Sequence, residues 1–357
     1  MRQRTNQRKP RKLLFSVVLS ALLLLGLFLM LYLESYDTEP PVSVPEDSAG
    51  LEVHYLDVGQ ADSILLQCDG ANMLIDGGNV EDSDLVVAYL LDQGVTILDY
   101  VVNTHAHEDH VGGLPGVLAV FETKNIWCPV KVYGSNCFDD FVRYADQQRQ
   151  ELVCPEPGST YPLGSAEITV LGPVKDNYDT NNTSIVLRVD YGTTSFLFTG
   201  DAETQSEGDI LDAGYDVSAT VLKVGHHGSE TSSGYRWLRA VDADYAVIQV
   251  GEGNTYNHPH DVTLSRLRDA DMTLYRTDLQ GHIVCYSDGQ TVRFETDKSA
   301  PVTNPTKEPE RFIGNKNSKV FHLDTCSGLP KEGNQEIFGS YTDATEAGYK
   351  PCSRCIG

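Results

Sequence analysis

Seven consecutive residues constrain this chain more than any others. Thr104-His105-Ala106-His107-Glu108-Asp109-His110 follows directly on an apolar run at residues 98–102, with Gly112-Gly113 beside it. The apolar run reads as a buried strand. His105, His107, Asp109 and His110 then lie together at its carboxyl end, where open α/β-type sheets place their chemistry. Neutral imidazole nitrogens with a carboxylate oxygen suit Zn²⁺ or Mn²⁺, and ligands this dense can serve two ions, two ligands each. A solvated polar loop would need three histidines and an aspartate to gather by chance.

His-x-His-x-Asp-His followed by Gly-Gly resembles the signature of the metallo-beta-lactamase (MBL) superfamily. Further segments extend the resemblance: Leu56-Asp57-Val58-Gly59-Gln60-Ala61-Asp62-Ser63, Leu74-Ile75-Asp76-Gly77-Gly78, Phe198-Thr199-Gly200-Asp201 and Leu222-Lys223-Val224-Gly225-His226-His227-Gly228-Ser229. In that order they look like the soluble MBL domain of the ComEC DNA-uptake proteins and its stand-alone relatives. The resemblance covers roughly residues 51–297. It implies an α/β (α+β) fold, an αββα sandwich with its site along the shared edge of two sheets, and a metal-dependent hydrolase. It also implies that Asp201 bridges both ions, although an aspartate after glycine can instead cap a helix. One of His226 and His227 would complete the second ion, with a slight lean to His226, while its neighbour faces substrate or a supporting carboxylate.

One departure narrows the chemistry. Many dinuclear members supply another histidine before the bridging aspartate, yet residues 111–200 contain none. The corresponding stretch holds Asn181-Asn182-Thr183-Ser184, similar to an Asn-Asn-x-Ser segment of ComEC relatives. Asn182 is there a substitute ligand, an oxyanion donor or a turn residue. The absence weakens a β-lactamase or glyoxalase assignment and favours phosphoester chemistry. The implied reaction is attack of a metal-bound hydroxide on a phosphodiester phosphorus. Asp109 and Asp201 would orient the ions, and Lys223, Ser229 or Asn182 would add donors. Asn257-His258-Pro259-His260 resembles another ComEC segment, so His258 or His260 is a candidate general acid, the alternative being two solvated loop histidines. His54 and His282, in strand-like contexts, read as structural.

The ends of the chain differ from its middle. Residues 1–12 carry Arg2, Arg4, Arg8, Lys9, Arg11 and Lys12, and residues 13–33 follow without a charge. That length matches the roughly 20 residues a helix needs to cross a bilayer. An uncleaved anchor is favoured over a signal peptide. Basic residues before it and Glu34, Asp37 and Glu39 after it place a single-pass chain with its N-terminus in the cytoplasm and its catalytic domain extracellular. Residues 34–50, with Pro40, Pro41 and Pro45, read as a linker. The formal charge of −24 argues against a general DNA-coating surface. A nuclease built on this chain needs a local basic path, metal contacts to phosphate or a partner such as a competence-type membrane channel.

Between these ends, strands are expected at residues 53–58, 63–68, 72–76, 167–171, 184–191, 194–199 and 220–224. Helices are expected at 82–93, with apolar Leu85, Ala88, Tyr89 and Leu91, and around 203–213 and 262–270. A linker at residues 298–311 precedes a small module at 312–357. His322, Cys326, Cys352 and Cys355 give that module the four ligands of a structural zinc, and Gly348-Tyr349-Lys350-Pro351-Cys352 resembles the metal-binding modules of Ada type. Disulfides or a redox-active Cys-x-x-Cys are the competing readings. Cys68, Cys128, Cys137, Cys154 and Cys285 read as buried thiols, with a Cys128–Cys137 bridge as an alternative. The leading function is a ComEC-like phosphodiesterase or nuclease. A hydrolase of a small phosphate ester or lactone, and a non-catalytic binding module, are the alternatives.

Overall fold

A computed structural model describes residues 50–176, 178–302, 311–324 and 326–356. Strands Leu51–Tyr55, Ile64–Cys68 and Ala71–Ile75 form an antiparallel meander. They are apolar on both faces because both faces are covered. Val53, Tyr55, Ile64, Leu66, Met73 and Ile75 enter one core, whereas Leu65 and Leu74 enter another, as the two-residue period of a strand requires.

Among the described residues, the meander belongs to an eight-stranded sheet whose spatial order is Val292–Thr296, Ile283–Ser287, Leu51–Tyr55, Ile64–Cys68, Ala71–Ile75, Tyr100–Val102, Ile126–Trp127 and Leu152–Val153. A seven-stranded sheet runs Thr273–Arg276, Tyr245–Ile248, Val221–Lys223, Thr194–Phe198, Val186–Tyr191, Ala166–Gly172 and Thr160–Leu163. Tyr55, Trp127, Ile168, Phe196 and Phe198 pack in the core between the sheets. Helices Ser83–Asp92, Leu114–Val120 and Asn136–Gln147 contribute to a second core against the first sheet, and Thr204–Ala213, Tyr235–Val241 and Asp261–Asp269 to a third against the second sheet. These layers are the αββα sandwich expected from the sequence.

Local details differ from the sequence expectations. The helix expected at 82–93 forms as Ser83–Asp92, but its buried side chains are Val86 and Leu90, and Leu85 and Leu91 are exposed. Positions 86 and 90 stack at i,i+4 spacing, and the helix packs on Leu114–Val120. The run at 98–102 divides at Asp99 between two sheets. All eight cysteines are free, so Cys128 and Cys137 are not bridged, and Cys154 is exposed rather than buried.

The expected membrane location is corrected. No helix among the described residues is long and apolar enough to cross a membrane. The longest described helix, Asn136–Gln147, has 12 residues, about 18 Å at helical rise against a hydrocarbon core of about 30 Å. The span placed at residues 13–33 lies outside the described residues, as does most of the 34–50 linker.

The C-terminal module has its own four-stranded sheet, ordered Gln335–Phe338, Phe312–Asn315, Val320–Leu323 and Lys350–Pro351, with helix Tyr341–Glu346. Its core of Phe312, Phe321, Phe338, Tyr341 and Tyr349 also takes in Tyr235 from the sandwich. Tyr235 stacks on Tyr341 with ring centroids 5.2 Å apart.

Gly112 and Gly113 are required by close backbone approach. A Cβ on Gly113 would run into the carbonyl oxygen of Gly77, and one on Gly112 into backbone of Glu108 and Val80. Backbone cannot give way as a flexible side chain can. Gly113→Ala is therefore expected to cost about 1–3 kcal/mol, read as a fall of several degrees in the thermal unfolding midpoint.

Candidate metal centre

The site collects the carboxyl ends of parallel strands from both sheets. Ala71–Ile75 leads into Asp76 and its neighbour Tyr100–Val102 into His105, while Thr194–Phe198 leads to Asp201 and Val221–Lys223 to His226 and His227. Ligands distant in sequence meet because these ends lie along one edge.

Asp109, His110, Asp201 and His227 offer ligand atoms that all lie within 4.8 Å of one another. His110 Nε2 is 3.4 Å from Asp201 Oδ1, and His227 Nε2 is 3.3 Å from Asp109 Oδ2. A tetrahedron with bonds of about 2.0–2.1 Å has edges of about 3.3 Å, so the donors fit zinc. His110 Nε2, His227 Nε2 and Asp201 Oδ1 are buried without a hydrogen-bond partner. Such orphaned atoms are rare in a folded protein and call for a ligand.

The other oxygen of Asp201 faces a second set. Its Oδ2 is 3.8 Å from His105 Nε2 and 3.6 Å from His226 Nε2, and His105 Nε2 is 3.0 Å from His107 Nδ1. Among the described residues this set does not close into a cluster as compact as the first. The lean to His226 for the second ion is thus corrected: His227 joins Asp109 and His110, and His226 turns to the opposite side of Asp201. Both residues adopt left-handed φ of 52°, which separates consecutive side chains that a strand would also have split, but within a turn only four residues long.

Buried partners hold these ligands. Asp76 Oδ2 lies 2.8 Å from His110 Nδ1, leaving Nε2 for an ion. Thr104 secures Asp76 through its amide and its hydroxyl, each at 2.7 Å. His227 Nδ1 is 3.0 Å from Gln249 O and 3.3 Å from Asp62 Oδ1. Lys223 Nζ forms a buried pair with Asp62 Oδ2 at 2.7 Å. Lys223 is therefore not a substrate donor as expected; its ammonium is turned away from the cavity to neutralise Asp62. Sequence pattern alone assigns no role to Asp62, Asp76 or Gln249, although both aspartates stand inside the segments at residues 56–63 and 74–78 that carry the resemblance.

Other expectations divide. Asn182 is structural: its Oδ1 accepts from the amides of Glu203 and Ser206, and its Nδ2 donates to Asp179. Asn181 lines the cavity instead. Ser229 hydrogen-bonds Thr231 and does not reach the cavity. His258 lines the cavity, but His260 accepts from the Glu230 amide and lies outside it. His54 contacts the Tyr89 hydroxyl and His282 accepts from the Asp57 amide, both structural roles.

The two ligand sets differ in charge. Burial and the neighbouring His110 charge hold His105 well below the usual histidine range. Burial also opposes charge on His110, but Asp201, Asp76 and Asp109 outweigh it and raise the imidazole. For His227, Asp201 and Asp62 overcome burial and push it up to about 10. Asp109 and Asp201 are held low, against burial, by these same imidazoles.

A cavity of about 700 Å³ opens over the ligands. Its lining includes Asp57, Glu81, Asp82, Glu108 and Tyr256, and among the described residues no lysine or arginine. In the module, His322, Cys326, Cys352 and Cys355 gather within 4.8 Å, with His322 Nδ1 3.4 Å from Cys326 Sγ. Despite burial, backbone amides and neighbouring thiols lower Cys352, while burial and the other thiols push Cys355 up to about 12. Sharing of charge among close thiols is what a bound cation would relieve.

Asp76→Asn is expected to weaken zinc binding about 10–100-fold with the fold intact, measured by competition with a chromophoric chelator. An ion at Asp109, His110, Asp201 and His227 must displace the protons on both imidazoles. Loading at pH 7 is expected to release about two protons per ion, and affinity to rise with pH until His227 is neutral, at about 10. Titration calorimetry in buffers of different ionisation enthalpy reads both.

Comparison with known proteins agrees with this geometry. The Metallo-beta-lactamase superfamily matches residues 56–252, and the Metal binding domain of Ada matches residues 302–356. The chain is 34% identical over 282 residues to Competence protein ComA of Neisseria gonorrhoeae, covering 76% of this chain and 38% of that protein. It is 31% identical over 254 residues to ComE operon protein 3 of Bacillus subtilis, covering 65% and 32% respectively. The chain thus spans about a third of the length of these curated relatives. The metallo-beta-lactamase fold protein YhfI from Bacillus subtilis superposes with a TM-score of 0.45 at 13% identity, over 67% of this chain and all of that one.

Proposed function

Because this chain belongs to the metallo-beta-lactamase superfamily of metal-dependent hydrolases, we propose that it hydrolyses phosphodiester bonds in DNA or a nucleotide substrate. The observation that carries the reading is Asp201, whose two oxygens face separate sets of imidazoles. Two-ion sites of this kind suit in-line displacement at phosphorus, where attacking and leaving oxygens both need stabilisation. The fold and the Ada-type domain imply zinc; Mn²⁺ is the alternative for the oxygen- and nitrogen-rich site.

Bound divalent ions would supply Lewis acidity and a lowered proton affinity for water. The residues supply the rest. Asp76 and the Lys223–Asp62 pair fix the rings of His110 and His227. Gln60 Oε1 accepts from the Gly251 amide, which aims its Nε2 at His258 Nδ1, 3.4 Å away, and so leaves the His258 proton on Nε2. Burial and the charges of His226 and His227 push His258 down to about 4. It is a neutral imidazole at pH 7, able to hydrogen-bond a leaving oxygen and to take up a proton only as negative charge develops beside it.

A second reading, hydrolysis of a small phosphate ester or lactone, is favoured by the cavity lining. Asp57, Glu81, Asp82 and Glu108 repel a polyanion, and among the described residues no lysine or arginine lines the cavity to offset them.

The test is to load the full chain with Zn²⁺ or Mn²⁺ and assay single- and double-stranded DNA beside bis(p-nitrophenyl) phosphate. DNA cleavage is expected, reduced in Asp109→Ala and His107→Ala by more than the 10–100-fold typical of supporting residues. Turnover of the small diester alone would select the second reading, and two bound ions without diester turnover would overturn the first.

A further inference from the structure

Tyr256 is 64% exposed although it sits on the wall of the metal cavity. Its ring stacks on His258 with centroids 5.7 Å apart and planes 26° from parallel. His258 in turn lies 5.5 Å from the ring of His226 and 6.4 Å from that of His227. The tyrosine is therefore one ring removed from His226 and His227.

The loop that presents it is braced. Asn254 donates to the carbonyls of Gly251 and His258 and accepts from the amides of Tyr256 and His258. Gly251 packs so closely on Gln60 that a Cβ there would meet the Gln60 amide at 2.6 Å. An aromatic ring is thus held in a fixed place with a face open to solvent. Among the described residues the cavity lining carries no lysine or arginine to pair with the phosphates that flank a scissile bond. Beyond the contacts that bound ions would make with the phosphate, an uncharged part of the substrate can add affinity, and every nucleobase offers a π-face.

Resting on the phosphodiesterase reading, we propose that Tyr256 is a stacking platform for an unpaired nucleobase beside the scissile phosphate. The substrate is then single-stranded nucleic acid or a nucleotide diester, since a base paired within a duplex cannot reach the ring without leaving its stack.

The zinc-loaded full chain and its Tyr256→Ala and Tyr256→Phe variants are compared on thymidine 5′-(p-nitrophenyl phosphate) and methyl p-nitrophenyl phosphate, which share a leaving group and differ in the base. Tyr256→Ala is expected to lower kcat/KM on the thymidine ester about tenfold or more and leave the methyl ester within about twofold, with Phe restoring the difference. Equal losses on both esters would show that the ring only props His258, and no loss on either would show that it does nothing; both overturn the proposal. Binding of a fluorescent oligothymidylate is measured in parallel and needs no turnover. If wild type cleaves neither ester, the phosphodiesterase reading fails by itself, and the platform stands or falls on binding that is about tenfold weaker in Tyr256→Ala or unchanged. Displacement by thymidine monophosphate assigns a nucleotide ligand; displacement only by unlabelled oligomer assigns a strand.

Discussion

Everything in the centre follows from burying the carboxylate of Asp201 at 2% exposure. An ionised group taken from water needs opposite charge around it, or it neutralises instead. His110 and His227 provide that charge on one side, raised against burial by Asp201 itself and by Asp76 and Asp62 behind them. Asp62 is itself balanced by Lys223. Asp76, His110, Asp201, His227, Asp62 and Lys223 thus form a buried row in which acidic and basic groups alternate.

The sandwich is the means of holding that row together. Seven or eight strands per sheet give the core enough width to fix the sheet edges, and the parallel pairs align strand ends from both sheets on one side. Gly77, Gly112 and Gly113 let backbones cross closely behind His110. The C-terminal module is no loose appendage either, because Tyr235 is shared between its core and a helix of the sandwich. The residues just before that helix, Ser233 and Gly234, donate to Glu207, and the helix bearing Glu207 begins beside Glu203, which contacts His226. Packing therefore runs without interruption from the module to the ligands.

Much of the centre is legible because its candidate ligands sit in short motifs that end apolar strands: His105, His107, Asp109 and His110 show in spacing and pattern, and Asp201 in the resemblance to the MBL superfamily. The choice between His226 and His227 was not legible, because it depends on left-handed backbone angles that no side-chain pattern encodes. Lys223 looked available because a lysine is ordinarily solvated; its burial follows from Asp62, 161 positions away in the sequence. Asn182 likewise shows its purpose only once a helix begins over it. The helix at Ser83–Asp92 is legible but its buried face is not, since Leu85 and Leu91 are apolar yet face water. Short strands such as Ile126–Trp127 leave too few residues for any period to show.

The left-handed pair at His226 and His227 has a further consequence. Two adjacent residues supply imidazoles to opposite oxygens of one carboxylate, so the two halves of the centre share a single peptide bond as their common support. A shift of that bond that draws one ring closer must carry the other ring with it. The positions of the two rings are thereby coupled through the backbone they share, so the two sides of Asp201 are not independent of one another.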